Sequence, residues 1–302
     1  MTIPLQLRGV RRTFRRRFGR PPIVAIAEAT FELAAGEIAC VVGAAGSGKT
    51  TVLRLAAGLL RPDAGVVHVA GAPPYGPRGP AVRRLVGFAP RDPAFPPAFT
   101  VREVLEYCAR RHDVGRQMRA LVRDAVDLAG LEPVVASRAT ALPLAAARRL
   151  GLAQCALGGR RLLLVDDPFA GLDAISRRDL CDRLQRCAAA GATVLLSSAD
   201  PVGLERLVDR VLVLRSGRVV RDAPATVLLA GRVLEVIMDA PPREPPPGFR
   251  VTATGVEADL GHRSAESALA VCRAHRLGIR ASRVRLKGLD DALFDPLEIM
   301  PR

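Results

Sequence analysis

Eight consecutive residues, Gly43-Ala44-Ala45-Gly46-Ser47-Gly48-Lys49-Thr50, restrict this chain more than any other stretch. The run Cys40-Val41-Val42 before them is short, apolar and partly β-branched, as a buried strand requires. Thr51-Val52-Leu53-Arg54-Leu55-Ala56-Ala57 after them has helical spacing. A glycine-rich turn between strand and helix is a P-loop. Its backbone N–H groups turn inward on phosphate oxygens, a lysine places a compact charge near the outer phosphates, and a hydroxyl is offered to Mg²⁺. Lysine occurs only at positions 49 and 287 in a chain whose other cations are arginines. One of the two thus stands where a point charge suits a phosphate. Gly43, Ala44, Ala45, Gly46, Ser47, Gly48, Lys49, Thr50 and Thr51 are therefore the expected nucleotide-binding residues, with Thr50 also a metal ligand.

The order of elements downstream supports a nucleotide site. Leu162-Leu163-Leu164-Val165 reads as a buried strand that delivers Asp166 and Asp167 to the sheet edge, a Walker B arrangement in which Asp166 serves Mg²⁺. Gly171-Leu172-Asp173 reads as a turn and Ser176 to Cys187 as a helix. Ala192 to Ser198 reads as another buried strand, and Val211-Leu212-Val213-Leu214 with Ser216 to Val220 as a hairpin. Strands alternating with helices predict a mainly parallel sheet.

Composition narrows the class. A chain of 302 residues with 49% hydrophobic content can bury a large core and fits one large domain plus a small one. No apolar run approaches the roughly eighteen residues that span a bilayer, and Arg8, Arg11 and Arg12 interrupt the N-terminus, so a cytoplasmic protein is expected. The cysteines at 40, 108, 155, 181, 187 and 272 lack metal-ligand spacing and read as reduced thiols. The net charge of +15 invites a nucleic-acid reading. Aromatics are only 4% and tryptophan is absent, however, so stacking platforms are not evident and no nucleic acid is expected. The cluster Arg11, Arg12, Arg15, Arg16, Arg17 and Arg20 reads first as a solvated face and second as a neighbour of anionic headgroups.

With these motifs in place, the sequence resembles the ATP-binding subunit of an ABC transporter over about residues 5 to 230, and within that family the multidrug exporter (ABC-2) branch whose permease is a separate protein. Phe18-Gly19 matches the adenine-stacking aromatic, with Phe14 as a second candidate. Val86-Gly87-Phe88-Ala89-Pro90-Arg91-Asp92 matches the Q-loop region, and Phe99-Thr100-Val101-Arg102-Glu103-Val104-Leu105 the start of the helical subdomain. Asp209-Arg210-Val211-Leu212-Val213-Leu214-Arg215-Ser216-Gly217-Arg218 matches the usual end of the domain. The resemblance implies an α/β P-loop NTPase fold of the ABC type, with a parallel-sheet core, an antiparallel β subdomain and a helical subdomain at about 92–158. It also implies ATP and Mg²⁺ as cofactors, an integral-membrane permease as partner, and a peripheral place on the inner face of the cell membrane.

Against the family pattern, four places differ. Arg91 stands where the Q-loop glutamine is expected. Asp167 stands where a catalytic glutamate would polarise water, and one missing methylene retracts its carboxylate by roughly 1.5 Å, a misplacement that can cost about a hundredfold in rate. Ala199 replaces the switch histidine and cannot donate a hydrogen bond. Leu142-Pro143-Leu144-Ala145-Ala146 replaces Leu-Ser-Gly-Gly-Gln, the loop that grips the other subunit's nucleotide, while Arg148-Arg149-Leu150-Gly151-Leu152-Ala153-Gln154 continues the pattern. Pro143 has no N–H and Leu144 adds bulk where bare backbone is wanted.

These departures beside an intact P-loop lead us to expect MgATP binding with weak or lost hydrolysis, Asp167 remaining as a weakened catalytic carboxylate. A heterodimer with an intact ATPase subunit is the preferred assembly, a homodimer the other. The competing functions are a fully active ATPase of a homodimeric exporter, a non-hydrolysing regulatory or structural ABC subunit, and a soluble nucleic-acid-associated ABC ATPase. That last reading usually implies two fused nucleotide domains, and no second P-loop follows Thr50.

The chain changes character after residue 230, so the expected domains are 1–230 and 231–302. Gly231 to Met238 holds a short strand, Pro241-Pro242 and Pro245-Pro246-Pro247 mark a stiff linker or turn, and Arg250 to Leu260 alternates as a strand. Ser264 can cap a helix to about His275, Ile279 to Leu286 alternates again, and Leu289 to Phe294 reads as a closing helix. This tail resembles the small α+β accessory domain of multidrug-type subunits. His262 and His275 read as surface residues rather than ligands.

Overall fold

The computed structural model describes residues 3–15, 21–110, 117–229, 231–261, 263–275 and 277–288. The chain divides into two compact units, Met1–Asp222 and Ala223–Arg302. The first begins with β1 (Leu5–Phe14), β2 (Ile23–Leu33) and β3 (Ile38–Val42), and the P-loop then leads into α1 (Lys49–Ala56). β4 (Ala64–Val69), α2 (Gly79–Arg83) and β5 (Val86–Ala89) follow, then the helices α3 (Val101–Arg110), α4 (Met118–Ala129) and α5 (Leu144–Ala156). β6 (Leu162–Val165), α6 (Ala174–Ala189), β7 (Thr193–Ser198), β8 (Arg210–Arg215) and β9 (Arg218–Pro224) close the succession.

Among the described residues these strands form one sheet in the order β4-β1-β2-β9-β8-β3-β7-β6-β5. β3 runs parallel to β7 and β8, and β6 parallel to β7 and β5, whereas β1 pairs antiparallel with β2 and β4. The parallel core, the antiparallel β subdomain and the helical subdomain are all present, as expected. The reason lies in the side chains. Every residue of β3, β6 and β7 is buried, as strands covered on both faces must be. β2 instead alternates from Ala29 to Leu33, with Ala29, Phe31 and Leu33 inward and Thr30 and Glu32 exposed, so only one face of that stretch meets the core.

The helical subdomain has a core of its own. Leu105 of α3, Val126 of α4 and Leu150 of α5 belong to one buried cluster, with Phe95 and Phe99 packed against it. Where α5 meets the sheet, β5 comes so close that a Cβ on Gly87 would stand 1.9 Å from the Cys155 carbonyl oxygen. That approach fixes the start of the segment that leaves β5 for the site.

The second unit contains α7 (Ala225–Leu229), β10 (Arg232–Met238), β11 (Arg250–Thr252), β12 (Gly255–Asp259), α8 (Ala265–Ala274) and β13 (Ile279–Leu286). Its described strands form an antiparallel sheet in the order β11-β12-β10-β13, closed by a core that includes Leu234, Val236, Phe249, Val256 and Cys272. Ser264 caps α8 by accepting the Ser267 N–H at 3.1 Å. The segment Arg250 to Leu260 is a tight hairpin rather than one strand, since alternation looks alike on both sides of a turn. Leu289 to Phe294 and His262 lie outside the described residues.

Candidate functional site

Strand register brings the motifs together. Val42 pairs with Ser198, Val165 with Leu196 and Ala89 with Val165, so β3 ends level with β7 while β6 and β5 end together two residues before it. The residues that follow each strand therefore share the carboxyl edge of the parallel sheet, where ligands of open α/β sheets bind. A cavity of about 280 Å³ opens there, lined by Ala45, Gly46, Gly48, Lys49, Thr50, Thr51, Arg91, Asp166, Asp167 and Ala199, with Ile23 and Ala25 on the apolar side. Residues from five separate stretches of sequence thus meet in one place.

The P-loop leads into this cavity at the start of α1. Gly48 is the N-cap of α1, in the left-handed region at φ 109° with no side-chain cap, so the first N–H groups of α1 are left for an anion. A Cβ there would approach the Ala25 carbonyl oxygen to 2.4 Å, so glycine is required by space as well as by angle. The Ser47 hydroxyl is buried without a partner, an orphaned polar atom of the kind an absent anion would satisfy. Lys49 Nζ donates to the carbonyls of Gly43 at 2.7 Å and Ala44 at 2.9 Å. Burial holds Lys49 below the ordinary lysine value, opposed by the carboxylates of Asp167 and Asp166. This donor set fits nucleotide phosphates.

Beside the loop, the Thr50 hydroxyl meets both Asp166 carboxylate oxygens at 3.0 and 2.9 Å. A hydroxyl and a carboxylate on adjoining elements, with further oxygens to come from phosphate, form a ligand set suited to Mg²⁺. Sequence reasoning missed Ser197, whose hydroxyl donates to Asp166 at 2.7 Å and accepts the Asp167 N–H at 2.9 Å. It ties the Asp166 carboxylate and the Asp167 backbone to the neighbouring strand. Its one signal in the sequence is a polar residue at the end of an otherwise apolar run.

Asp167 sits at φ 43°, in the left-handed region, and one oxygen of its carboxylate is paired with a cation. Arg91 Nη1 stands 3.3 Å from Asp167 Oδ2. The next residue, Asp92, faces the other way, 3.5 Å from Nη2 of the buried Arg148 on α5. Arg91 and Asp92 therefore tie the segment after β5 to β6 on one side and to the helical subdomain on the other.

The remaining expected residues fall as follows. Ala199 lines the cavity and brings no side-chain donor to it. Pro143 is the N-cap of α5 and provides no side-chain cap, and Leu144 behind it is 44% exposed, so a leucine side chain stands at this helix start in place of bare backbone. Neither residue lines the cavity. Phe18 lies outside the described residues, as do Arg16, Arg17 and Arg20. Phe14 pairs with Ile23, a cavity residue, and the Arg12 guanidinium lies 5.0 Å from its ring centroid. All six cysteines are free thiols. Among the described residues no group of three or more His, Cys, Asp or Glu could hold a metal, and no helix is long and apolar enough to cross a membrane.

Known proteins share these features. The profile of the family described as ABC transporter matches residues 26–170. The "Nod factor export ATP-binding protein I" of Paraburkholderia xenovorans (strain LB400) is 34% identical over 205 residues, covering 68% of this chain and 67% of that protein. The protein of the same name from Rhizobium meliloti is 33% identical and the match covers 61% of its length, so this chain spans less than two thirds of that relative. Among solved structures, a dimeric bacterial ABC transporter cassette superposes with a TM-score of 0.67 at 22% identity, covering 73% of this chain and 98% of the cassette. An ATP-binding subunit of an ABC transporter gives 0.64 at 23% identity, over 75% of this chain and 92% of that one.

Proposed function

The chain belongs to the ABC transporter family of ATP-binding domains, with the mixed α/β fold of those cassettes, and from that premise we propose that it is the ATP-binding subunit of a membrane exporter that holds MgATP with weak or no hydrolysis. The binding half of this reading rests on the P-loop geometry. The N–H groups at the start of α1, the Ser47 hydroxyl and Lys49 gather the phosphates, and Thr50 with Asp166 holds Mg²⁺, which when bound neutralises charge on the outer phosphates. Ile23 and Ala25 supply an apolar wall for the base, and the resemblance assigns the stacking aromatic to Phe18 or Phe14, the latter paired with Ile23.

The impaired half rests on one observation, the ion pair between Arg91 and Asp167. A carboxylate that polarises attacking water needs a free oxygen at the right reach. Here the side chain is one methylene short and is engaged by a guanidinium, while Ala199 and the Pro143-Leu144 turn remove two further groups that would act near the γ-phosphate. Export is carried over from the printed function of the similar Nod factor proteins, and the multidrug-type branch from the sequence resemblance. The expected assembly is a separate permease with a second, motif-complete ATPase subunit, whose own loop would complete the P-loop site of this chain. We assign the nucleotide work to residues 1–230 and an accessory role to 231–302.

Calorimetric titration with MgATP together with phosphate release, on the purified chain and again after reconstitution with its permease, tests both halves. Micromolar binding with turnover far below about 1 s⁻¹, the low end of ordinary enzyme rates, is expected. Ordinary transporter turnover by the chain alone would instead favour the fully active homodimer.

A further inference from the structure

We propose that Arg91 is a specificity-determining residue of the nucleotide site: its guanidinium bridges the Asp167 carboxylate and the terminal phosphate, so the site selects a nucleoside triphosphate over a diphosphate. This rests on the nucleotide-binding reading above and goes beyond it, because it makes the departure at position 91 a gained contact rather than a lost one.

Position and charge carry the argument. The register Ala89↔Val165 brings the residues two places beyond each strand, Arg91 and Asp167, to the same point on the sheet edge. Both line the cavity that holds Lys49, Thr50 and Asp166. Among the described lining residues the cations are Lys49 and Arg91, and Lys49 is pinned to the loop carbonyls of Gly43 and Ala44. Arg91 is the cation with freedom to move. Its side chain is 56% exposed and meets Asp167 through one nitrogen at 3.3 Å, whereas Asp167 is 10% exposed and fixed by Ser197 through its N–H. A contact through one nitrogen leaves the rest of the guanidinium fork for a second anion.

A terminal phosphate offers three acceptor oxygens and about two negative charges, against two oxygens and one charge on a carboxylate. The guanidinium presents five donors in a planar fork and can serve both anions at once. It also removes a conflict. Without a cation between them, the Asp167 carboxylate and a terminal phosphate in the same cavity would repel, and Ala199 supplies nothing to offset that. A diphosphate ends nearer the P-loop backbone, so it gains less from a cation at the far wall. Asp92, held toward Arg148, keeps the segment after β5 close enough for Arg91 to reach.

Calorimetric titration of the full-length protein with MgATP and MgADP separately, on wild type, Arg91→Gln and Arg91→Lys, tests this. The wild type is expected to prefer ATP by about tenfold or more, the size of one charge-assisted hydrogen-bond contact. Arg91→Gln should weaken ATP about tenfold with ADP unchanged within about twofold, and Arg91→Lys should keep most of the preference. Equal losses for both nucleotides, or no change in either, would overturn the proposal. Failure of the wild type to bind either nucleotide would defeat the binding reading itself, and this inference with it. Matching thermal midpoints of the three proteins exclude misfolding as the cause.

Discussion

At the scale of single residues the chemistry turns on Arg91, Asp167 and Ala199. If they are what holds hydrolysis down, restoring the family residues should release it. The Arg91→Gln/Asp167→Glu/Ala199→His variant frees and lengthens the carboxylate and adds a donor, and single-turnover phosphate release should rise about tenfold to a hundredfold over wild type. No rise at all would mean that these positions do not limit turnover. The P-loop and Asp166 were legible because their chemistry is local: glycines, a lysine and a hydroxyl in one short run, and an aspartate at the end of an apolar one. The Arg91–Asp167 pair was not, because its members lie far apart in sequence and meet only through the adjacency of β5 and β6. The cysteines give a second residue-scale expectation. Burial, aided by Asp182, pushes the Cys181 thiol up to about 11. Thiolate forms as pH rises, so at pH 8 only about one Cys181 in a thousand is reactive, and its labelling rate should climb about tenfold per pH unit from 8 to 10, read by mass spectrometry of the labelled peptide.

At the scale of elements, position is set by close packing that a sequence pattern does not display. Gly87 reads as an ordinary strand residue, yet β5 can sit against α5 only because it has no side chain. Gly87→Ala forces the two elements apart and should cost about 3 kcal/mol in denaturant unfolding, the upper end of overpacking losses. A loss under about 0.5 kcal/mol would contradict the packing described. The helix caps are the opposite case. Ser264 was readable as an N-cap from its place before an amphipathic run, and its hydroxyl does accept from Ser267. Ser264→Ala should lower the stability of the second unit by about 1 kcal/mol, seen as a shift of its denaturation midpoint. The hairpin inside Arg250 to Leu260 was hidden because its turn, between Thr252 and Gly255, does not interrupt the alternation on either side.

At the scale of the whole molecule, the two compact units give the nucleotide reading a test that does not depend on catalysis. A ligand that binds only the folded form of one unit stabilises that unit by mass action, by about 2.7 kcal/mol at a concentration one hundred times its dissociation constant. Every cavity residue from the P-loop to Ala199 lies within Met1–Asp222, so MgATP should raise the unfolding midpoint of that unit alone. Scanning calorimetry should show one transition move with MgATP and the other stay in place. Lys49→Ala should reduce the movement sharply, because it removes the one charged side chain of the P-loop. Movement of both transitions together would mean that Ala223–Arg302 takes part in nucleotide binding or unfolds as one piece with the first unit, and the accessory role given to that unit would then have to be abandoned.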